Sequence, residues 1–197
     1  MAYICNYDDE THTYTMGGTK VPSVTQVLMD QGLVDTTWFT EAGRERGSAV
    51  HLAARYMDEH TLDIETVDED LHGYLKAYKS FKTDTGFDMG EGSIEIPMWD
   101  KVHRFAGTPD RIGKLFGVDC IVDFKTGATL APYTGLQLAG YELLTRHNHS
   151  PIQHIRRYAL RLGREGKYKL TRYEDPTDMK VFVDMVGIYH WKKNNNI

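Results

Sequence analysis

The sequence predicts an α/β fold, with a mixed central β-sheet flanked by helices. Three observations carry that expectation. Two stretches, about 38–59 and 70–81, set apolar residues at helical spacing: Val50, Ala53, Ala54 and Met57 in the first, Leu71, Tyr74, Leu75 and Tyr78 in the second. Three successive segments, 93–99, 102–112 and 118–125, read as strands. The 197 residues, 41% hydrophobic and 26% charged, suit one domain (1–197) large enough to bury a core.

Taken in order, residues 1–20 alternate polar and aromatic residues through Tyr3, Tyr7 and Tyr14 to Gly17-Gly18, which predicts a short hairpin. Pro22-Ser23-Val24-Thr25 reads as a helix entry, capped by Ser23 or Thr25. The 38–59 helix carries His51 beside its apolar stripe, and the 70–81 stripe is most simply core. Residues 83–92, rich in Gly and Asp, are expected to be loop. After the three strands, a helix entered near 128–134 runs to about residue 146. On it Gln137 and Tyr141, four apart, share a face, while Leu136, Ala139, Leu143 and Leu144 supply packing. Segments 155–162 and 167–173 flank Gly163-Arg164-Glu165-Gly166 as a basic hairpin, and a last helix opens at Pro176 and runs to about residue 192. The hairpin and helix form a C-terminal unit of about 150–192, in which Arg157, Arg161, Lys169 and Arg172 are expected on one side.

Charge is segregated along the chain. The net charge is −5, yet residues 58–70 hold seven acids and no Lys or Arg, and 143–172 hold eight Lys/Arg against Glu165 alone. Such a block can form a positive track on an acidic protein, with Arg157, Arg161, Arg164, Lys167, Lys169 and Arg172 as candidate nucleic-acid contacts. The two cysteines, Cys5 and Cys120, make no disulfide framework. With no signal-peptide pattern at the start and no long apolar run, a cytoplasmic location is expected.

The chemistry lies in three spaced groups: Gly107-Thr108-Pro109-Asp110, Asp123-Phe124-Lys125 and Gln137-Leu138-Ala139-Gly140-Tyr141. Asp123 and Lys125, two apart on a strand, project from one face while Val122 and Phe124 face the other. A turn through 114–119 would bring Asp110 beside Asp123. Two carboxylates about 4 Å apart repel by roughly 4 kcal/mol at an effective dielectric near 20. Protonation or a bound cation removes that cost, and carboxylate oxygens suit Mg²⁺ or Mn²⁺. Alone, Asp-x-Lys is most often an ordinary cross-strand pair.

Together these residues resemble the PD-(D/E)XK nuclease superfamily, in its RecB-like branch. Gly47-Ser48-Ala49-Val50-His51 fits that branch's histidine element, and the segment 21–28 looks like the start of its phage and mitochondrial exonucleases. The resemblance spans about residues 21–141, in five elements in the expected order. It implies a restriction-endonuclease-like core, with catalytic residues Asp110, Asp123, Lys125, Gln137 and Tyr141. One or two Mg²⁺ (or Mn²⁺) ions would be held by His51, Asp110, Asp123, the Phe124 carbonyl and, least securely, Glu95 on the first core strand. Tyr141 would touch the DNA backbone or brace the site. Two cysteines cannot supply the four of an iron–sulfur cluster. The implied function is a metal-dependent deoxyribonuclease. It is expected to be an exonuclease of phage type that works on DNA in replication, recombination or repair, in a host cytoplasm if phage-encoded. Two alternatives stay open: a structure-specific endonuclease, and a non-catalytic DNA-binding scaffold of the same fold. DNA is the expected partner, with a single-strand-binding or recombination protein a further one. Strand preference, polarity and oligomeric state are left open.

Overall fold

The computed structural model describes residues 4–34, 40–90, 92–149 and 154–197. The predicted hairpin is a three-stranded antiparallel meander of β1 (Cys5–Asp8), β2 (Thr13–Met16) and β3 (Thr19–Val21). Gly17 and Gly18, both at positive φ, make the two-residue turn between Met16 and Thr19. Tyr3 lies outside the described residues. Helix α1 (Val24–Asp30) starts at a capping box: Ser23 Oγ accepts from Gln26 N at 3.1 Å, and Gln26 Oε1 accepts from Ser23 N at 2.9 Å. Of the two candidate caps, Ser23 therefore holds the position.

Helix α2 (Glu41–Asp58) is capped by Thr40 and buries Val50, Ala53 and Ala54. Trp38, the expected start, lies outside the described residues. Helix α3 (Glu69–Thr85) outruns its predicted end by a turn and stops at Gly86, which takes the left-handed cap conformation. Between α2 and α3 lies a single 3₁₀ turn, Ile64–Thr66.

The two segments expected as strands before residue 113 are organised differently. Only Met98–Asp100 (β4) of 93–99 is a strand, paired with β5 (Phe105–Gly107). Glu95 sits off any strand at φ 47°, between Gly92 at positive φ and Pro97, which has no N–H to give. Asp88 and Ile94 instead form separate bridges to the edge of β6 (Arg111–Leu115), with Ile112 N on Ser93 O (2.9 Å) and Glu95 N on Asp110 O (3.1 Å). Strand 102–112 is split in two at Thr108-Pro109-Asp110.

The main sheet is β6-β7-β8-β9, where β7 is Val118–Lys125, β8 Arg156–Leu162 and β9 Tyr168–Tyr173. It is mixed: β7 runs parallel to β8 and antiparallel to β6, and β8 is antiparallel to β9. Helix α4 (Thr134–Asn148) forms the β7–β8 crossover, and α5 (Thr177–Asn194) follows β9. The α4 helix outlasts its expected end near residue 146. One sheet face, through Ile112, Ile121 and Ala159, packs on α1, α4 and α5 by way of Val24, Leu28, Leu138, Leu144 and Phe182. The other, through Cys120, Val122, Phe124, Tyr158 and Leu160, packs on Val50 and Ala54 of α2 and Tyr74, Tyr78 and Phe81 of α3. A sheet covered on both faces explains the nearly unbroken burial along β7 and β8. The N-terminal meander sits over β5, with Tyr14, Met16 and Val21 around Ala106.

Candidate active site

The β6–β7 hairpin builds the centre of the site. Its register pairs Arg111 with Val122 across the turn at Phe116-Gly117, so Asp110, one residue before β6, comes level with Asp123. Asp110 Oδ2 accepts the Phe124 backbone N–H at 2.6 Å. By strand alternation Asp123 and Lys125 face α4, where Lys125 Nζ donates to Gln137 Oε1 at 2.9 Å. Gln137 Nε2 in turn donates to Tyr141 Oη at 3.3 Å, so the two residues that share a face of α4 continue the chain of contacts from the strand. From α2, His51 Nδ1 lies 3.2 Å from Asp110 Oδ1, and its ring meets the edge of Phe124. Gly107 permits this assembly. A Cβ there would stand 3.1 Å from the Tyr141 ring and 3.0 Å from Leu144, closer than side chains normally pack.

The electrostatics follow from two carboxylates side by side, Asp123 buried and Asp110 largely so. Burial disfavours charge on both. At Asp110 the neighbouring His51, the Phe124 N–H and Lys125 outweigh burial and hold its carboxyl below the usual range. At Asp123 burial prevails, aided by the Asp110 charge and only partly offset by Lys125, and its carboxyl is pushed up. Against their own burial, His51 is raised by Asp110 and Lys125 is raised by Asp123. Burial, reinforced by both carboxylates, raises the Tyr141 hydroxyl and keeps it neutral.

The donor set has the chemistry of a hard-cation site: two carboxylates and an imidazole, with carboxylate oxygens the preferred ligands of Mg²⁺ and Mn²⁺. Asp123 Oδ2 is buried and receives no well-directed hydrogen bond, although Lys125 Nζ stands 2.5 Å away. The fit is one of donor chemistry and not of assembled geometry. Among the described residues no three His, Cys, Asp or Glu side chains converge as a metal-holding set.

Two residues that the sequence reading passed over stand behind the centre. Arg111 is fully buried and donates to Asp58 Oδ2 (2.8 Å), the Asp110 carbonyl (2.7 Å) and Glu95 Oε1 (3.3 Å), with its guanidinium over the Phe124 ring. Asp58, buried at the end of α2, also takes Tyr78 Oη and Lys82 Nζ. Strand parity offered a signal: Arg111 lies between Asp110 and Ile112 and must face the α2–α3 layer. Glu95, held by Arg111, borders the same cavity as His51 and Asp110. That cavity, about 660 Å³, also takes in Tyr141, Gly107, Thr108 and residues of the N-terminal meander.

The basic residues of 157–172 do not form one group. Arg157 is buried, bound to Asp178 (3.0 Å) and the carbonyls of Gly135 and Asp175, with Glu142 at 3.3 Å, so it fastens α4 and α5 to the sheet. Arg164 pairs with Asp70 on α3. Arg172, beside Glu174, sits opposite Tyr158 and so on the other face from Arg157 and Arg161, which corrects the expectation that all four share a side. Arg161 and Lys169, by contrast, stand in register with Lys125, in one row across β7, β8 and β9. Lys167 is exposed where β9 begins.

The chain shares its fold with a solved structure. That structure, a “putative exonuclease” from Eubacterium rectale, aligns over 91% of this chain and 78% of its own, with a TM-score of 0.52 at 14% identity. An alkaline exonuclease from Laribacter hongkongensis aligns over 88% of this chain and 92% of its own, with a TM-score of 0.39 at 14% identity. No family model and no curated protein matches the sequence. At this identity the first likeness is one of fold, and it agrees with the mixed α/β architecture expected from the sequence.

Proposed function

We propose that the protein is a DNA nuclease that hydrolyses phosphodiester bonds with Mg²⁺ or Mn²⁺ and works from a strand end. The observation that carries this reading is the cluster of Asp110, Asp123 and Lys125, joined to His51 on one side and Gln137 on the other. His51, Asp110, Asp123 and the Phe124 carbonyl are the residues that would hold the cation, with Glu95 at the border. When bound, a divalent cation supplies Lewis-acid polarisation of the phosphate and lowers the pKa of a water. Lys125, kept cationic by Asp123 and aimed by Gln137, positions the attacking water and offsets negative charge growing on the phosphate. Tyr141, neutral and buried, orients Gln137. Lys125, Arg161 and Lys169 form the start of a phosphate track. Lys125 is paired with Asp123 and Arg161 donates to the Ala128 carbonyl, which leaves Lys169 the most exposed cation of the row. Lys167 extends the row, whereas Arg157, Arg164 and Arg172 belong to other contacts.

The test is digestion of end-labelled linear DNA, single- and double-stranded, beside a covalently closed circle, with Mg²⁺, Mn²⁺ or chelator. Loss of linear DNA alone, abolished by chelator and by Lys125→Ala, is the expected result and reads out strand and end preference. Cutting of the circle makes the protein an endonuclease. Near wild-type cleavage by Lys125→Ala sinks the mechanism, and DNA binding without cleavage of any substrate makes it a scaffold.

A further inference from the structure

The N-terminal meander forms one wall of the cavity that borders the site at Asp110. Tyr7, Asp9, His12 and Tyr14 line the same space as His51, Asp110 and Tyr141. Three of the four are aromatic rings arranged as a ladder. Tyr7, half-buried, rests against Tyr14 with centroids 4.7 Å apart and planes 30° apart, and the His12 ring lies 6.2 Å from Tyr7. The polar ends of these rings are engaged. Tyr7 Oη pairs with His12 Nδ1 at 2.7 Å, and Tyr14 Oη pairs with Thr108 Oγ1 at 2.7 Å, two residues before Asp110. What the ladder offers the cavity is therefore ring surface. His12 ends the turn between β1 and β2 in the left-handed conformation, at φ 48°. Asp9 puts a negative charge in the same wall and so disfavours a phosphate there. The wall thus suits an uncharged flat group close to the cluster that would cut the backbone.

From this we infer that the Tyr7–His12 edge of the meander stacks the base of an unpaired nucleotide at the end of the DNA strand, while the Asp110–Asp123–Lys125 cluster faces its phosphodiester. The inference rests on the nuclease reading and adds to it a substrate class: a frayed or single-stranded end, taken without regard to base identity, because every base has a π-face. Duplex ends serve only after their last pair opens. Tyr7 is a binding residue here and moves no proton.

The experiment is equilibrium binding of labelled single-stranded oligonucleotides to the wild-type protein without Mg²⁺ or Mn²⁺. Each oligonucleotide is compared with its counterpart carrying an abasic unit at the 5′ or the 3′ terminus. The abasic unit at one end is expected to weaken binding about five- to a hundredfold, the range for one stacked base. Tyr7→Ala should weaken the intact oligonucleotide by a similar factor and the abasic one hardly at all, whereas Tyr7→Phe, which keeps the ring, should stay within about twofold of wild type. Removing the base from the DNA leaves the protein untouched, so the first comparison decides the matter even if Tyr7→Ala fails to fold. Equal binding of intact and abasic ends overturns the stacking alone. So does a Tyr7→Ala loss of the same size on both oligonucleotides. Failure to bind either oligonucleotide overturns the inference, while digestion of linear DNA with Mg²⁺ or Mn²⁺ decides the nuclease reading separately.

Discussion

Arg111 and Asp58 set the terms for individual residues. Both side chains are fully buried, so each is tolerable only because of the other, and Tyr78 and Lys82 complete the carboxylate's partners. Arg111→Met leaves Asp58 with less compensation in a dry layer. It should cost about 3–5 kcal/mol of stability, read as a shift in the urea midpoint at constant slope. If Arg111→Met melts within 1 kcal/mol of wild type, the pair is not what holds the layer together. Strand parity put Arg111 on the α2–α3 side, but its pairing with Asp58 was not legible in the sequence. The two lie 53 positions apart, and a charged residue in an acidic stretch such as 58–70 is normally solvated. Asp123 and Lys125 were legible because a strand's twofold period converts spacing directly into a shared face.

Between elements, the close approach of α4 to β5 turns on Gly107. Gly107→Ala forces the methyl against Tyr141, Leu144 and Val24, none of which is exposed. A loss of about 1–3 kcal/mol is expected, together with a fall in cleavage through the displaced Tyr141–Gln137 pair. Calorimetry beside the nuclease assay checks both. A second joint connects β4 to α4 through Asp100, a buried carboxylate that takes His103 Nδ1 and His147 Nδ1, each at 3.0 Å, and the Val102 and His103 N–H groups. Burial would raise this carboxyl, but the His103 bonds outweigh it and hold it below the usual range. A depressed folded value means that the stabilisation is present above the unfolded value of about 3.9 and is lost as pH falls through the folded one. Asp100→Asn should therefore cost about 1–3 kcal/mol at neutral pH. The gap to wild type should close as the pH of the melts falls below about 4. The strands around this joint were read less well than β7. The sequence predicts single strands over 93–99 and 102–112, whereas the left-handed Glu95 lies outside the first and Pro109 falls in the break of the second.

Across the whole molecule, an acidic protein must attract a polyanion through local charge. On the proposed nuclease reading, the row of Lys125, Arg161 and Lys169 supplies it on one face of the sheet. DNA affinity should fall with salt, and each phosphate contact removed should reduce the log–log slope by about 1. Arg161→Ala and Lys169→Ala are expected to do so, while Arg172→Ala, on the opposite face beside Glu174, should leave the slope unchanged. Titrations from 50 to 300 mM salt distinguish these outcomes, and a smaller slope for Arg172→Ala would place the track on the other face. The basic block from 143 to 172 was visible as composition, but its division between faces came only with the β8–β9 register. The short turn at Phe116-Gly117 has a consequence for how this chain can change over time. It fixes an even count of residues between Asp110 and Asp123, and one residue more or fewer would turn one carboxylate to the opposite side of the sheet. This hairpin can therefore drift only by substitution.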